Sequence, residues 1–141
     1  MSNIFKHEHR VSYSECTLGD HVYYARYLDI LERARGEFFR AIGIPFLILQ
    51  NEGIIFPVVE CNMRYKAPAR YDDVLRVEIW VSELERIRAR FEYKIYKEPS
   101  RLVVEGSTFH VCTGVNEKPR PWPEKLAAAL QPYLHQAGQP E

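Results

Sequence analysis

Residues 74–96 read V-L-R-V-E-I-W-V-S-E-L-E-R-I-R-A-R-F-E-Y-K-I-Y. Leu75, Val77, Ile79 and Val81 alternate with Arg76, Glu78, Trp80 and Ser82. Beyond Leu84 the alternation resumes, with Ile87, Ala89, Phe91, Tyr93 and Ile95 set against Arg88, Arg90, Glu92, Lys94 and Tyr96. Successive side chains of a strand point to opposite faces, so each half of the stretch is a strand with one dry face and one wet face. On the N-terminal side, Pro68 and Tyr71-Asp72-Asp73 mark a turn, and Ile54 to Tyr65, with its P-V-V-E-C-N-M-R-Y core, reads as another strand. On the C-terminal side, Glu98-Pro99-Ser100 is a hairpin turn. Leu102 to Val115 follows as a more uniformly apolar strand, the pattern of a central one.

Further upstream the period changes. From Tyr24 to Ile42, the residues Tyr27, Leu28, Leu31, Ala34, Phe38 and Ile42 recur near helical spacing, while Asp29, Arg33, Arg35 and Glu37 mainly occupy the other faces. Gly43 stops this helix, and Pro45 lies two residues beyond it. Phe46 to Gln50 forms a short second helical turn before Asn51-Glu52-Gly53. Ahead of the long helix, Ser14 to Val22 is a loop, and Ile4 to Tyr13 alternates loosely as a first strand. Past Asn116 the run E-K-P-R-P-W-P-E-K begins a Pro-rich tail, with Glu124 to Leu130 as a short terminal helix. The predicted fold class is α+β, a long central helix cradled by a five-stranded antiparallel sheet, in one domain over residues 1–141. Tyr23, Tyr24, Tyr27, Phe38 and Phe39 put bulk on more than one side of the helix, and one sheet covers only one side. A partner subunit is therefore expected, in a homodimer or homotetramer.

The 141 residues carry 19 Lys+Arg against 19 Asp+Glu, so the formal net charge is zero. That balance offers no electrostatic footprint for nucleic acid. Apolar stretches such as Ile42 to Leu49 fall far short of the roughly 18 residues a membrane span needs. The opening M-S-N-I-F-K-H-E-H-R has no continuous apolar signal region, which makes the cytoplasm the expected compartment. Cys16, Cys61 and Cys112 are odd in number and widely spaced, a pattern that argues against a disulfide framework or a zinc site.

A helix N-terminus leaves about four backbone N–H groups without intrahelical partners. Here the residues just before the helix are His21, Val22 and Tyr23, which cap poorly, so an amide such as that of Tyr24 is open to a carbonyl or oxyanion. Asp20 caps instead if the helix begins slightly earlier. The strings G-D-H-V-Y-Y-A-R-Y and L-E-R-A-R, followed by P-V-V-E-C-N-M-R-Y-K-A-P-A-R-Y-D-D, resemble the signature of hotdog-fold acyl-CoA thioesterases. The resemblance covers about residues 8–116 and is to the 4-hydroxybenzoyl-CoA thioesterase-like family.

The resemblance implies a hydrolase for short-chain or aromatic acyl-CoA, with coenzyme A as part of the substrate and no separate cofactor or metal. The family's loop Asp, nucleophile or general base, falls on Thr17, and its preceding acidic position falls on Glu15. Thr has a neutral hydroxyl and is no base at neutral pH. The catalytic candidates are therefore Thr17, His21, Tyr24 and Glu32, with Glu15 and Asp20 off the expected register. Glu32, eight residues past Tyr24, resembles the helix Glu of a second family branch; a salt bridge to a neighbouring Arg is its structural alternative. His21 has the ordinary pKa of a general base. For substrate binding, Tyr23, Tyr24, Tyr27 and Phe56 are candidate tunnel residues. Arg64, Lys66, Arg70, Arg86, Arg88 and Arg90 are candidates for the phosphates, with Arg86, Arg88 and Arg90 expected on one strand face. Loss of the loop Asp also allows an alternative, a non-hydrolytic acyl-CoA-binding protein.

Overall fold

A computed structural model of the protein describes residues 3–135. Its main sheet is antiparallel and five-stranded, built from β1 (Phe5–Arg10), β3 (Val58–Tyr65), β4 (Val74–Leu84), β5 (Arg88–Lys97) and β6 (Arg101–Val111) in the order β1-β4-β5-β6-β3. A two-residue pair, β2 (Ile54–Ile55) with β7 (Thr113–Gly114), lies outside it. The helices are α1 (Arg26–Ala41), α2 (Phe46–Asn51) and α3 (Glu124–Leu130). The alternation in residues 74–96 sets the layers. Leu75, Val77, Ile79 and Val81 of β4 and Ala89, Phe91, Tyr93 and Ile95 of β5 are all buried, with Val77, Ile79 and Val81 directly opposite Ile95, Tyr93 and Phe91. Against them packs the stripe Tyr27, Ile30, Leu31, Ala34 and Phe38 of α1. The helix thus lies in the concave face of the sheet, the architecture read from the strand order.

Several boundaries differ from the sequence reading, each for a local reason. The first strand stops at Arg10 because Ser12 and Glu15 form a capping box around a 3-10 turn at Tyr13–Glu15. The strand expected over Ile54 to Tyr65 is divided by Phe56 and Pro57 into β2 and β3, since proline brings no N–H to a ladder. Cys112 similarly separates β6 from β7. β6 does lie inside the sheet, but the centre is β5.

Phe38 and Phe39 need no partner subunit. Phe5 and Tyr133 pack on Phe38, while Phe46 and Phe56 pack on Phe39, and both residues are fully buried within the chain. Trp80, placed by alternation on the wet face, is also buried: the His135 ring stacks on it at 5.4 Å. Within the described part of the Pro-rich tail, Trp122, Leu126 and Leu130 join the core. Exposed apolar side chains include Tyr23, Tyr24 and Leu28 near the start of α1, and Val58, Val59 and Tyr65 on the edge strand β3. Among the described residues no helix is long and apolar enough to cross a membrane, and all three cysteines are free.

Candidate active site

The chain enters α1 without a side-chain cap. Ala25 occupies the N-cap position, and its methyl group accepts nothing. Asp20 sits in the preceding 3-10 turn at Leu18–Asp20 with φ 64° and does not cap α1. The Tyr23 N–H donates to the Glu15 carbonyl at 2.9 Å and the Arg26 N–H donates to the Tyr23 carbonyl at 2.8 Å. Between them, the N–H groups of Tyr24 and Ala25 have no acceptor among the described residues. Two amides at the positive end of a helix dipole are an anion or oxyanion site by construction.

Glu15 is not a spare base. It is buried, accepts the Ser12 N–H at 2.9 Å, and meets His9 Nε2 at 3.0 and 3.1 Å. Arg33 adds an ion pair at 3.8 Å. Such a carboxylate ties the loop to β1; moving it would leave the Ser12 N–H and His9 Nε2 without their acceptor. Thr17 is exposed and lines a cavity of about 340 Å³ with Tyr13, Cys16, Leu18 and Asp20. His21 and Tyr24 instead open together, with Tyr65 and Lys66, into a cavity of about 400 Å³. Glu32 lies in a third cavity of about 430 Å³ with Phe56, Phe46, Gln50 and Arg35. Within one protomer the structure therefore joins His21 to Tyr24 and Glu32 to Phe56, while Thr17 lines a separate cavity with its N–H donating to the His21 carbonyl at 2.8 Å. The salt bridge considered for Glu32 is absent among the described residues, because Arg33 turns to Glu15.

The other candidates divide between structural roles and the site wall. The Tyr27 ring is largely buried and its hydroxyl oxygen accepts the Ala69 N–H at 3.3 Å, and it also lines the cavity that His21 and Tyr24 share. Tyr23 is exposed and packs on Tyr24 with the rings tilted, centroids 5.0 Å apart. Arg70 Nη1 donates to the Gly19 carbonyl at 2.9 Å and ties the site loop down. Arg64 and Lys66 flank Glu105 at 3.6 and 3.8 Å. The expected basic stripe does not form. Arg86 precedes β5, and Arg90 is paired with Glu83 at 2.7 Å and Glu60 at 3.2 Å, leaving only Arg88 exposed on that strand face.

One group of residues escaped the sequence reading. Arg35, expected on an outer helix face, is half-buried, and its Nη1 donates to the Tyr93 hydroxyl at 3.0 Å. Tyr93 Oη and Thr108 Oγ1 are 2.6 Å apart, and Thr108 Oγ1 lies 2.9 Å from His110 Nε2. His110 Nδ1 is 2.9 Å from the Phe56 carbonyl, which can only accept, so Nδ1 carries the proton and Nε2 accepts from Thr108. Burial lowers this imidazole from its ordinary 6.5 to about 4, so it is neutral at pH 7. The available signal was spacing: Arg35 is four residues from both Leu31 and Phe39, which are buried, and so flanks the apolar stripe.

A long helix held in a five-stranded antiparallel sheet is the hotdog architecture. The model of the thioesterase-like superfamily matches residues 11–130, and the chain belongs to that family. It is 30% identical over 131 residues to the acyl-CoA thioester hydrolase YbgC of Escherichia coli, covering 92% of this chain and 98% of that one. A solved structure from Aquifex aeolicus superposes with TM-score 0.85 at 30% identity, covering 89% of this chain and 98% of the other. The 1,4-dihydroxy-2-naphthoyl-CoA thioesterase of Synechocystis shares the fold, with TM-score 0.86 over 92% of this chain and 96% of its own, at 22% identity.

Proposed function

We propose that this protein hydrolyses the thioester of an acyl-CoA to the free acid and coenzyme A, in a groove between two subunits. The observation that carries the reading is the unpaired Tyr24 N–H at the start of α1 in a chain of the thioesterase-like superfamily. In this reaction the Tyr24 amide donates to the thioester carbonyl oxygen and holds the oxyanion as it forms. The Glu32 carboxylate takes a proton from water, whose oxygen attacks the carbonyl carbon. The C–S bond then breaks, and the proton passes to the departing thiolate. His21, beside Tyr24, is the second group able to move that proton. Lys66 shares the Tyr24 cavity and is the basic residue best placed for a coenzyme A phosphate. Thr17 remains a group for holding water at the groove mouth. The chemistry calls on no separate cofactor, and the cytoplasm is the compartment that suits an acyl-CoA substrate.

A dimer joined along β3 supports this division of labour. β3 is an edge strand with Val58 and Val59 exposed at one end and Tyr65 at the other. Antiparallel two-fold pairing sets the Val58 end of one protomer against the Tyr65 end of its partner. Tyr24 packs on Tyr65, while Phe56 and Glu32 line the cavity beside the Val58 end. Pairing therefore closes the Tyr24 cavity of one subunit against the Glu32 cavity of the other. Loss of the loop Asp does not favour a mere binder, since Glu32 supplies a carboxylate with no competing ion pair among the described residues. Glu32→Gln is expected to lower kcat by about a hundredfold or more with the melting temperature unchanged. Unchanged release of free thiol from acyl-CoA would remove Glu32 from the mechanism.

A further inference from the structure

Helix α1 carries four arginines, and three have an acid. Arg26 pairs with Asp29 at 3.0 Å, Arg33 with Glu15 at 3.8 Å, and Arg40 with Glu37. Arg35 pairs with no carboxylate among the described residues, although it is the most enclosed of the four: the other three are exposed and it is half-buried. Its Nε is shut off from water without an acceptor, and its one hydrogen bond goes to the neutral Tyr93 hydroxyl. The groups behind Tyr93 are neutral too, since Thr108 is a hydroxyl and burial keeps His110 unprotonated. Burial also raises the pKa of the nearby Cys61 thiol and keeps it protonated. A partly desolvated cation with no counter-ion is costly, and an anion arriving from outside relieves that cost.

Arg35 lines the same cavity of about 430 Å³ as Glu32. Much of the remaining wall is apolar, including Phe46, Ile55, Phe56 and Val115. We propose that this cavity selects acyl groups ending in a carboxylate, so that the favoured substrates are mono-coenzyme A thioesters of short dicarboxylic acids. This rests on the thioesterase reading above. Arg35 is three residues past Glu32, or about 4.5 Å further along the helix axis. With the thioester carbonyl beside Glu32, an apolar spacer of a few methylenes brings the terminal carboxylate to the guanidinium, which matches a carboxylate by two parallel N–H donors. Glu32 repels a carboxylate at the reacting end and so helps set the direction in which the acyl group enters.

The test uses the full chain and two non-hydrolysable thioethers of matched length, S-(4-carboxybutyl)-CoA and S-pentyl-CoA, beside the substrates glutaryl-CoA and pentanoyl-CoA. The carboxylated thioether is expected to bind about tenfold more tightly, a difference of about 1.4 kcal/mol, and glutaryl-CoA to show a kcat/KM about tenfold higher. Arg35→Gln should bring each pair to within about threefold, and Arg35→Lys should keep part of the preference through its charge. The lysine variant guards against a glutamine variant that fails to fold. Equal binding of the two thioethers to the unmodified protein overturns the inference. Hydrolysis of pentanoyl-CoA with no advantage for glutaryl-CoA overturns it while leaving the thioesterase reading intact. Preferential binding of the carboxylated thioether with no hydrolysis of either thioester supports the Arg35 assignment and overturns the thioesterase reading.

Discussion

At the scale of single residues, the site is bordered by two enclosed polar groups of opposite character. Glu15 is a carboxylate with every neighbour a donor, whereas Arg35 is a cation with no acid. Sequence placed Glu15 next to the chemistry and Arg35 on an outer helix face, and gave neither its role, because a role depends on which atoms from distant segments arrive. His9 reaches Glu15 from β1, and Tyr93 reaches Arg35 from β5. His110 gives this scale its pH dependence. Its folded pKa of about 4 lies below the ordinary 6.5, so between those values the unfolded chain binds more protons than the folded one. Stability therefore rises with pH through that window, is complete above about 6.5, and is lost as pH falls toward 4. The expected loss between pH 7 and pH 4 is about 3 kcal/mol from this residue. Urea unfolding at the two pH values measures it, and a His110→Gln variant should flatten much of the dependence.

At the scale of elements, the edge strand β3 is held close by a gap on its neighbour. Gly106 of β6 lies opposite Met63, and a Cβ there would collide with the Asn62 carbonyl oxygen and crowd Met63 Sδ at 2.8 Å. Gly106→Ala is expected to push β3 off the sheet and to cost about 1–3 kcal/mol, read as a lower melting temperature and faster amide exchange in residues 58–65. Unchanged exchange in β3 would show that the strand accommodates the methyl group. The strand–helix alternation itself was plain in the sequence, since period two and period 3.6 are local properties. The break at residues 56–57 had a local signal in Pro57, which brings no N–H to a ladder, whereas the break at Cys112 did not: its N–H donates to the distant Ile87 carbonyl at 2.7 Å.

At the scale of the whole molecule, the bulk around α1 divides into two kinds. Phe38 and Phe39 are covered by the chain's own segments, whereas Tyr24, Leu28 and the face of β3 are uncovered. The proposed dimer covers the second kind. Sedimentation is expected to return a multiple of the 16.6 kDa protomer mass. The double variant Val58→Lys with Val59→Lys should reduce it to one protomer, because charges on an edge strand oppose edge-to-edge pairing. Thioesterase activity should fall with the mass, since neither cavity is complete alone. Full activity in a monomeric variant would place the reaction inside one chain.

The sequence by itself determined the layers and their order, because alternation and helical spacing dictate which side chains must leave water wherever the chain runs. It also marked the start of α1 as uncapped, which depends only on the residue types at that position. Tertiary structure decided the rest. It turned Glu15 from a candidate base into a loop clamp, and it dissolved the Arg86, Arg88 and Arg90 stripe by ending the strand and pairing Arg90 with acids from β3 and β4. It also left Arg35 enclosed beside Glu32 without a counter-ion. Charge and burial are settled by neighbours, and neighbours from distant segments meet only when the chain is folded.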